Sequence, residues 1–506
     1  MHSGYFCTEE RMMTDVVIIG AGPAGLTLAY ELALANIDVV VLEQREERLE
    51  QVKGGTMQPR TVELFDLRGL VEPLEEHTYE RQRVGGHFGG LPVPLDCSGW
   101  HTRHPTPVGL PQWTIEKVLE EHAVALGARV LRGKAVTAVE QSESSVTVRA
   151  GDETFEARYV VACDGARSTV RKFLGLPFPG RDGTFTATLA DVTLTSTSDL
   201  VPERAAHFSE LTRTANGYWA MLVPVGGDLY RLTVGATDGP TERDSPVTEA
   251  EITKALTAVY GEETRLGRIL HASRFSDATR QLEQYRHGRI LFAGDAAHIH
   301  PPYGGQGLNL GVQDAMNLGW KLASTVRGHT DESLLDTYHD ERHPPAAAVL
   351  HHTAAQRVLA GPGKGEDVAA LRDVLTDLLR VPEANHLIAG LMSGLALRYD
   401  LGGGHPLVGH RIPDADLVTA GGRTRVAELF RAGRAVLLDL SGDSDAVPLA
   451  HPAVDVLPAK CAEDLGAARV LVRPDGYVCW AGDGDPAAAA ERWFGHPGRF
   501  CRGGNV

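Results

Sequence analysis

The sequence predicts an α/β protein: a parallel-sheet domain, a mostly antiparallel sheet inserted into it, and a second α/β unit at the C-terminal end. Three observations predict this arrangement. The stretch DVVIIGAGPAGLTLAYELALANIDVVVLEQ reads as strand, glycine-rich turn, helix and strand. Alternating runs such as FTATLADVTLTST and GYWAMLVPVGGDLYRLTVGA read as antiparallel strands with one buried face. After LGGGHPLVGHRIPD, the strand-like AVLLDL and ARVLVRPDGYVCWAG alternate with helical stretches. At 506 residues the chain is too long for one core. The expected division is 14–180 for the first part of the parallel-sheet domain, interrupted by a β-rich insert around 82–110. Residues 181–280 form the inserted sheet, 281–400 the return to the first domain with a helical segment, and 401–506 the C-terminal domain.

Composition narrows the class. Hydrophobic content of 43% and charged content of 23% are those of a globular protein. A net charge of -17 disfavours a general polyanion-binding role, so no nucleic-acid partner is expected. Cys7, Cys97, Cys163, Cys461, Cys479 and Cys501 are scattered without a CxxC. That pattern predicts a reducing cytoplasm and no disulfide framework. No apolar run approaches the ~18 residues of a membrane span, and MHSGYFCTEERMM lacks a signal pattern, with Met12 and Met13 as alternative starts.

The first element carries the clearest chemistry. An apolar strand (16–19) enters Gly20-Ala21-Gly22-Pro23-Ala24-Gly25. A helix follows with Leu28, Leu32 and Ala35 on one face, and a second strand (39–42) ends at Glu43. Gly20 permits the tight turn, Gly22 lets backbone approach a pyrophosphate, and Gly25 lets helix and strand pack closely. The helix N-terminus offers N–H groups and a positive dipole end, and Glu43 can accept hydrogen bonds from an adenosine ribose. The unit is therefore Rossmann-like, and a dinucleotide is expected; this motif does not decide between NAD and FAD.

The second element, YVVACDGARSTVRKFLG, delivers Asp164-Gly165 at the end of a buried strand, with a basic helix beginning near Ser168. Alone, such a pair is an ordinary turn. The third, GDAAHIHPPYGGQGLN, follows the strand RILFA and places Asp295 at its end. The next segment, with Leu308, Val312, Ala315, Leu318 and Leu322 at helical spacing, puts Gly304 to Gly307 at a helix N-terminus. Unpaired N–H groups there would stabilise an electron-rich ring edge as an anion. His298 and His300 do not make a metal site, because two prolines follow and no further ligands cluster nearby; no metal is expected.

Together these segments resemble the class A flavoprotein aromatic hydroxylases, the p-hydroxybenzoate hydroxylase family. GHFGGLPVPLD, LDTYHDERHP, VPEANHLIAGLMSGLALRYD and LVRPDGYVCWAGD resemble its bacterial aromatic polyketide branch, which includes anhydrotetracycline and angucyclinone hydroxylases with rifampicin monooxygenase as a cousin. The resemblance implies that Gly20 to Gly25, Glu43 and Gln44 hold the ADP part of FAD, and that Asp164 and Gly165 serve FAD and NADPH. Gly294 and Asp295 would meet the ribityl chain, and Gln306, Gly307, Leu308 and Asn309 the flavin N1–C2=O edge, with Pro302 and Gly305 on the flavin-facing loop. It places Gln112 on the FAD chain and Ala135-Val136 beside the adenine. Relatives carry an arginine in the loop that here reads QVKGGTMQPRT, leaving Lys53, Arg60 or neither to replace it.

The implied reaction is hydroxylation of a multi-ring aromatic polyketide in secondary-metabolite biosynthesis. NADPH (or NADH) reduces FAD, and O2 gives a flavin C4a-hydroperoxide in a cavity that excludes water. Alternatives are Baeyer–Villiger or ring-cleaving oxygenation, antibiotic inactivation, and a non-catalytic flavin-binding component of a biosynthetic complex. No protein group is assigned to the chemistry itself. His87, Phe88, Trp219 and Met221, with Pro302 and Gly305, are the pocket candidates; Trp219 and Met221 share a strand face by alternation. The C-terminal segment resembles the thioredoxin-like domain of larger hydroxylases, and without CxxC its expected role is packing or a homodimer contact.

Overall fold

The computed structural model describes residues 13–49, 55–76, 85–236, 245–360, 365–442 and 449–502. Its centre is an eight-stranded mixed sheet in which Thr14–Ile19 lies between Val39–Leu42 and Glu153–Ala162, parallel to both. Ile290–Phe292 extends it beyond Glu153–Ala162, and Arg129–Leu131 beyond Val39–Leu42, again in parallel. Val16, Val17, Ile18 and Val39 to Leu42 are buried in one core, which is why these strands are continuously apolar. Helices Pro23–Leu34, Gln112–Ala125 and Gly307–Val326 pack side by side against that sheet, the first between the other two. Gly319 lets the first and last approach closely, since a Cβ there would lie 2.6 Å from Glu31 Cβ.

The inserted sheet has the order Thr212–Ala215, Tyr218–Gly226, Leu229–Ala236, Thr186–Ser196 and Arg265–Ser276, all antiparallel. Helix Glu249–Tyr260 backs one face, where Ile252, Leu256 and Val259 pack against Ala190, Val192, Ala220, Leu222 and Leu232. Alternation then turns Trp219, Met221 and Val223 to the opposite face, toward the first domain.

A β-rich insert around 82–110 is not what forms. Among the described residues, 85–110 holds one isolated bridge (Gly86 with Leu95), a short 3-10 turn at Ser98–Trp100 and the two-residue strand Val108–Gly109. Pro92, Pro94 and four glycines in GGHFGGLPVP deny the segment a regular ladder. Helices Asp336–Ala360, Gly365–Leu379 and Pro382–Ser393 follow the last strand and helix of the parallel-sheet domain.

The C-terminal part carries a four-stranded sheet ordered Val454–Pro458, Ala435–Asp439, Arg469–Val472 and Val478–Ala481. Its first pair is parallel and the others antiparallel. Helix is sparser there than the sequence reading expected: among the described residues, one α-helix, Ala487–Phe494, accompanies short 3-10 turns.

Candidate active site

A continuous cleft of about 2150 Å³ separates the carboxyl ends of the parallel strands from the open face of the inserted sheet. Gly20, Ala21, Gly22, Pro23, Ala24, Glu43 and Gln44 line one end. Gly20 has φ +104°, and a Cβ on it would lie 2.4 Å from the Cys163 carbonyl oxygen. Gly25 lies beneath the cleft wall, where a Cβ would sit 2.1 Å from Gly20 O. Around Gly22 the cleft side is open, with no heavy atom within 4 Å of a Cβ position. The helix beginning at Pro23 has no side-chain cap, so its first N–H groups remain available. Glu43 braces the turn: its Oε2 accepts from Ala21 N at 3.0 Å and its Oε1 from Arg45 N at 3.1 Å.

Asp164 and Gly165 line the next stretch of wall. Asp164 Oδ2 accepts from Thr169 N at 2.6 Å and Val170 N at 3.1 Å, while Oδ1 is buried without a protein partner. Burial pushes the carboxyl pKa up despite those donors. Gln112 and Ala135-Val136 also border the cleft, Gln112 donating to Glu116 Oε1 at 2.8 Å.

Gly294, Asp295, Pro302, Gly305, Gln306, Gly307 and Leu308 form the facing wall. Gly304 and Gly305 have φ of +74° and +61°, a left-handed pair that brings main chain to the surface ahead of helix Gly307–Val326. Asn309 does not reach the cleft. Its Nδ2 donates to Thr56 O and Gly305 O at 2.9 and 2.7 Å, and its Oδ1 accepts from Gln58 N at 2.7 Å. Gln58 completes the brace by donating from Nε2 to Gly304 O at 2.8 Å. Behind the wall, fully buried Asp314 accepts from Gly294 N at 3.1 Å and Arg342 Nε at 2.8 Å, and pairs with His298 Nε2 at 2.7 Å. His300 is half-buried, with Nδ1 on Pro301 O and a buried, unpartnered Nε2; desolvation lowers its pKa to about 4. Among the described residues no group of three or more His, Cys, Asp or Glu could hold a metal, and no helix is long and apolar enough to cross a membrane.

The end of the cleft under the inserted sheet is roofed by Trp219, Met221 and Val223, with Arg231 from the adjacent strand. Trp219 lies across Gly235, where a Cβ would fall 2.5 Å from its Nε1. Arg231 donates from Nε to buried Asp191 at 3.1 Å. His87 lines the cleft and stacks on Phe208 at 4.2 Å; burial, then the neighbouring His207, lowers its pKa to about 4.

Besides Asn309, which braces the wall from behind, two expectations are corrected. Phe88 packs with the Leu91, Leu359 and Met392 cluster instead of lining the cleft, because the glycines on both sides of it turn the loop back onto the helical segment. Arg60 is fully buried away from the cleft, pairing with Glu63 at 2.9 Å and donating to Asp475 O at 3.0 Å, so it cannot replace the family's loop arginine. Lys53 lies outside the described residues. Sequence reasoning missed Gln58, Asp314, Arg342, Asp191 and Arg231. The sole local signal was Gln58 before a proline at a helix start; the others declare themselves through partners 16 to 40 residues away.

The residues fit FAD: an open glycine cradle, two uncapped helix N-termini and three buried polar atoms without protein partners, Asp164 Oδ1, Gln306 Oε1 and His300 Nε2, border one cleft. Comparison with known proteins agrees. Residues 13–353 match the FAD binding domain and 405–497 the aromatic-ring hydroxylase C-terminal domain. The chain is 44% identical to the 12-dehydrotetracycline 5-monooxygenase/anhydrotetracycline 6-monooxygenase of Streptomyces rimosus, over 96% of this chain and 100% of that one. It is 40% identical to the rifampicin monooxygenase of Streptomyces venezuelae, covering 96% and 99%. The solved OxyS anhydrotetracycline hydroxylase from Streptomyces rimosus superposes with a TM-score of 0.86 at 43% identity, covering 96% and 100%. The cleft, its cradle and these likenesses together show that the chain belongs to the FAD-dependent aromatic-ring hydroxylases, a family of flavoprotein monooxygenases.

Proposed function

We propose that this protein hydroxylates a multi-ring aromatic polyketide, using FAD, NADPH and O2. The observation that carries the reading is one cleft of about 2150 Å³ that joins a dinucleotide cradle to an apolar sheet face. Drug-sized ligands occupy roughly 300–1,000 Å³, so this volume supports FAD and a fused-ring substrate together. FAD supplies the redox and oxygen-transfer chemistry. The chain binds its pyrophosphate at Gly20 to Ala24, its ribose at Glu43, its ribityl chain near Asp295, and its ring edge at Gln306 to Leu308. Trp219 and Met221 press the substrate toward that edge and exclude water. The test is turnover of FAD-loaded protein with a tetracyclic or angular phenol. NADPH oxidation should accelerate, and the product should gain one oxygen on a ring carbon by NMR. A lactone would mean Baeyer–Villiger chemistry, and no acceleration with any polyketide phenol would sink the proposal. Asp295→Ala should lower FAD retention after gel filtration, read at 450 nm.

A smaller cavity of about 470 Å³ adjoins the Asp164 turn and is lined by Arg167, Arg171, Lys172 and Arg280 against one acid, Asp182. In a chain of net charge -17, this concentration supports docking of the NADPH phosphates beside the flavin. Lys172→Glu should raise the NADPH KM roughly tenfold, about the worth of one charge-assisted contact, and leave FAD content unchanged in stopped-flow reduction.

The C-terminal sheet, one parallel and two antiparallel pairings, supports a thioredoxin-like reading. Leu371, Val374 and Leu378 on one helix and Leu387 and Leu391 on the next are exposed, which supports a homodimer measurable by light scattering. Unpaired Cys97, Cys163, Cys461 and Cys479 support a cytoplasmic location.

A further inference from the structure

Helix Pro59–Asp66 and the turn after it carry four charged side chains, Arg60, Glu63, Asp66 and Arg68, and every one of them bonds to the C-terminal domain. Arg60 donates to Asp475 O at 3.0 Å and lies over the Tyr477 ring at 4.8 Å. Glu63 pairs with Arg411 at 3.0 Å. Asp66 takes a two-pronged pair from Arg425 at 2.6 and 2.5 Å. Arg68 donates to Phe430 O at 2.8 Å and Pro474 O at 3.0 Å. All four side chains are buried or nearly so. The N-cap residue of the same helix is Gln58, whose amide holds Gly304 O and whose N–H holds Asn309.

The flavin-side helix Gly307–Val326 is gripped by the same domain further along. Asn317 and Lys321, one turn apart, converge on Glu341, which Arg473 binds through both oxygens at 2.9 and 2.8 Å. Two helices therefore meet at their N-termini on the cleft wall, joined by Gln58 and Asn309, and both are anchored by their bodies to one remote domain. A domain that merely covered apolar surface would not need a polar partner at each of these positions, two of them ion pairs, Glu63–Arg411 and Asp66–Arg425, because buried ion pairs contribute geometry more dependably than net stability.

We propose that the C-terminal domain sets the position of the cleft-wall loop 302–309, acting through helix Pro59–Asp66 with Gln58 as the positioning residue. The proposal rests on the reading that this loop cradles the flavin edge. It gives the domain a task in the reaction: holding Gly304 and Gly305 where their backbone would meet the ring, so that oxygen taken up from O2 would pass to the substrate, its second atom leaving as water, instead of being released as H2O2. Asp475 to Gln58 spans the whole relay, and among the described residues none of the domain lines the cleft.

A double-variant cycle on the FAD-loaded full chain tests this, with hydrogen exchange at the amides of 303–307 as a readout independent of turnover. Gln58→Ala removes one buried hydrogen bond and should speed exchange there roughly fivefold. Arg425→Gln, and separately Glu63→Gln, should speed the same amides although neither touches the loop. Each should also raise the H2O2 released per NADPH while leaving the NADPH KM unchanged. Combining Arg425→Gln with Gln58→Ala should add nothing to Gln58→Ala alone. Arg434→Gln, which breaks an exposed pair with Asp455 inside the same domain, should leave 303–307 unaltered. Additive effects of Arg425 and Gln58, or loop exchange that ignores both helix variants, would overturn the relay. If loop exchange responds as stated but no polyketide is oxygenated, the relay stands and the substrate assignment fails.

Discussion

Gly20→Ala should yield colourless protein, whereas Gly22→Ala should yield folded protein that binds FAD weakly. The two glycines are separated by one residue and face opposite constraints. At Gly20 a methyl group would sit 2.4 Å from Cys163 O and 2.8 Å from its carbonyl carbon, both main-chain atoms of the neighbouring strand. The φ of +104° adds strain that an L-residue bears at a cost of about 1–3 kcal/mol. Relief requires moving either the Thr14–Ile19 strand or the Asp164 turn, and both border the cleft. At Gly22, φ is -82° and nothing lies within 4 Å, so alanine fits the apoprotein without strain. Its methyl group would instead occupy the space into which a pyrophosphate must come to reach the helix N–H groups. Gly20→Ala should therefore lower both thermal stability and 450 nm absorbance per chain. Gly22→Ala should keep the apoprotein melting temperature within about 1–2 °C, since uncongested surface changes stay near ±0.5 kcal/mol, and weaken FAD binding at least tenfold by titration. Equal FAD affinity in Gly22→Ala and the parent would place the cofactor elsewhere.

How much of this was legible depended on how far each residue's partner lies along the chain. The turn at Gly20 to Gly25 declared itself because strand, turn, helix and ribose-side acid are consecutive. Trp219 and Met221 were readable as one face because strand alternation is local, and the helix backing Ala220 and Leu222 settles which face is buried. Loop residues gave no such period. Phe88 sits among glycines whose positive φ values, +57° at Gly89 and +68° at Gly90, decide its direction. Arg60 stands in the sequence as one of three open answers, Lys53, Arg60 or neither, for the family's loop arginine. Its helix begins one residue earlier, at Pro59, and turns it toward a carbonyl 415 residues away. The β-rich reading of 82–110 failed for a related reason: apolar residues alternate there, but prolines and glycines remove the ladder they would need.

Asp314→Ala should be among the most damaging single changes outside the cleft, lowering stability of the FAD domain by about 3–5 kcal/mol. Asp314, His298 and Arg342 are all fully buried. Removing the carboxylate leaves Arg342 charged and without its 2.8 Å partner, and frees Gly294 N at the entrance to the cleft wall. Arg342 would retain contacts with Tyr399 at 3.1 Å and with Gln313 and Leu310 at longer range, none of which carries negative charge. The pH dependence has a definite sign. Burial alone would raise the Asp314 pKa, but His298 and Arg342 overcome it and hold the group below the usual carboxylate range. A depressed folded pKa contributes stability that is complete above the unfolded value of about 4 and is lost as pH falls through the folded value. In urea titrations followed by released FAD fluorescence, the gap between the parent and Asp314→Asn should be widest at neutral pH and narrow below pH ~4. A gap that widened on acidification would mean that Asp314 is buried as the neutral acid, and the Asp314–Arg342 ion pair behind the Gly294 turn would have to be redrawn.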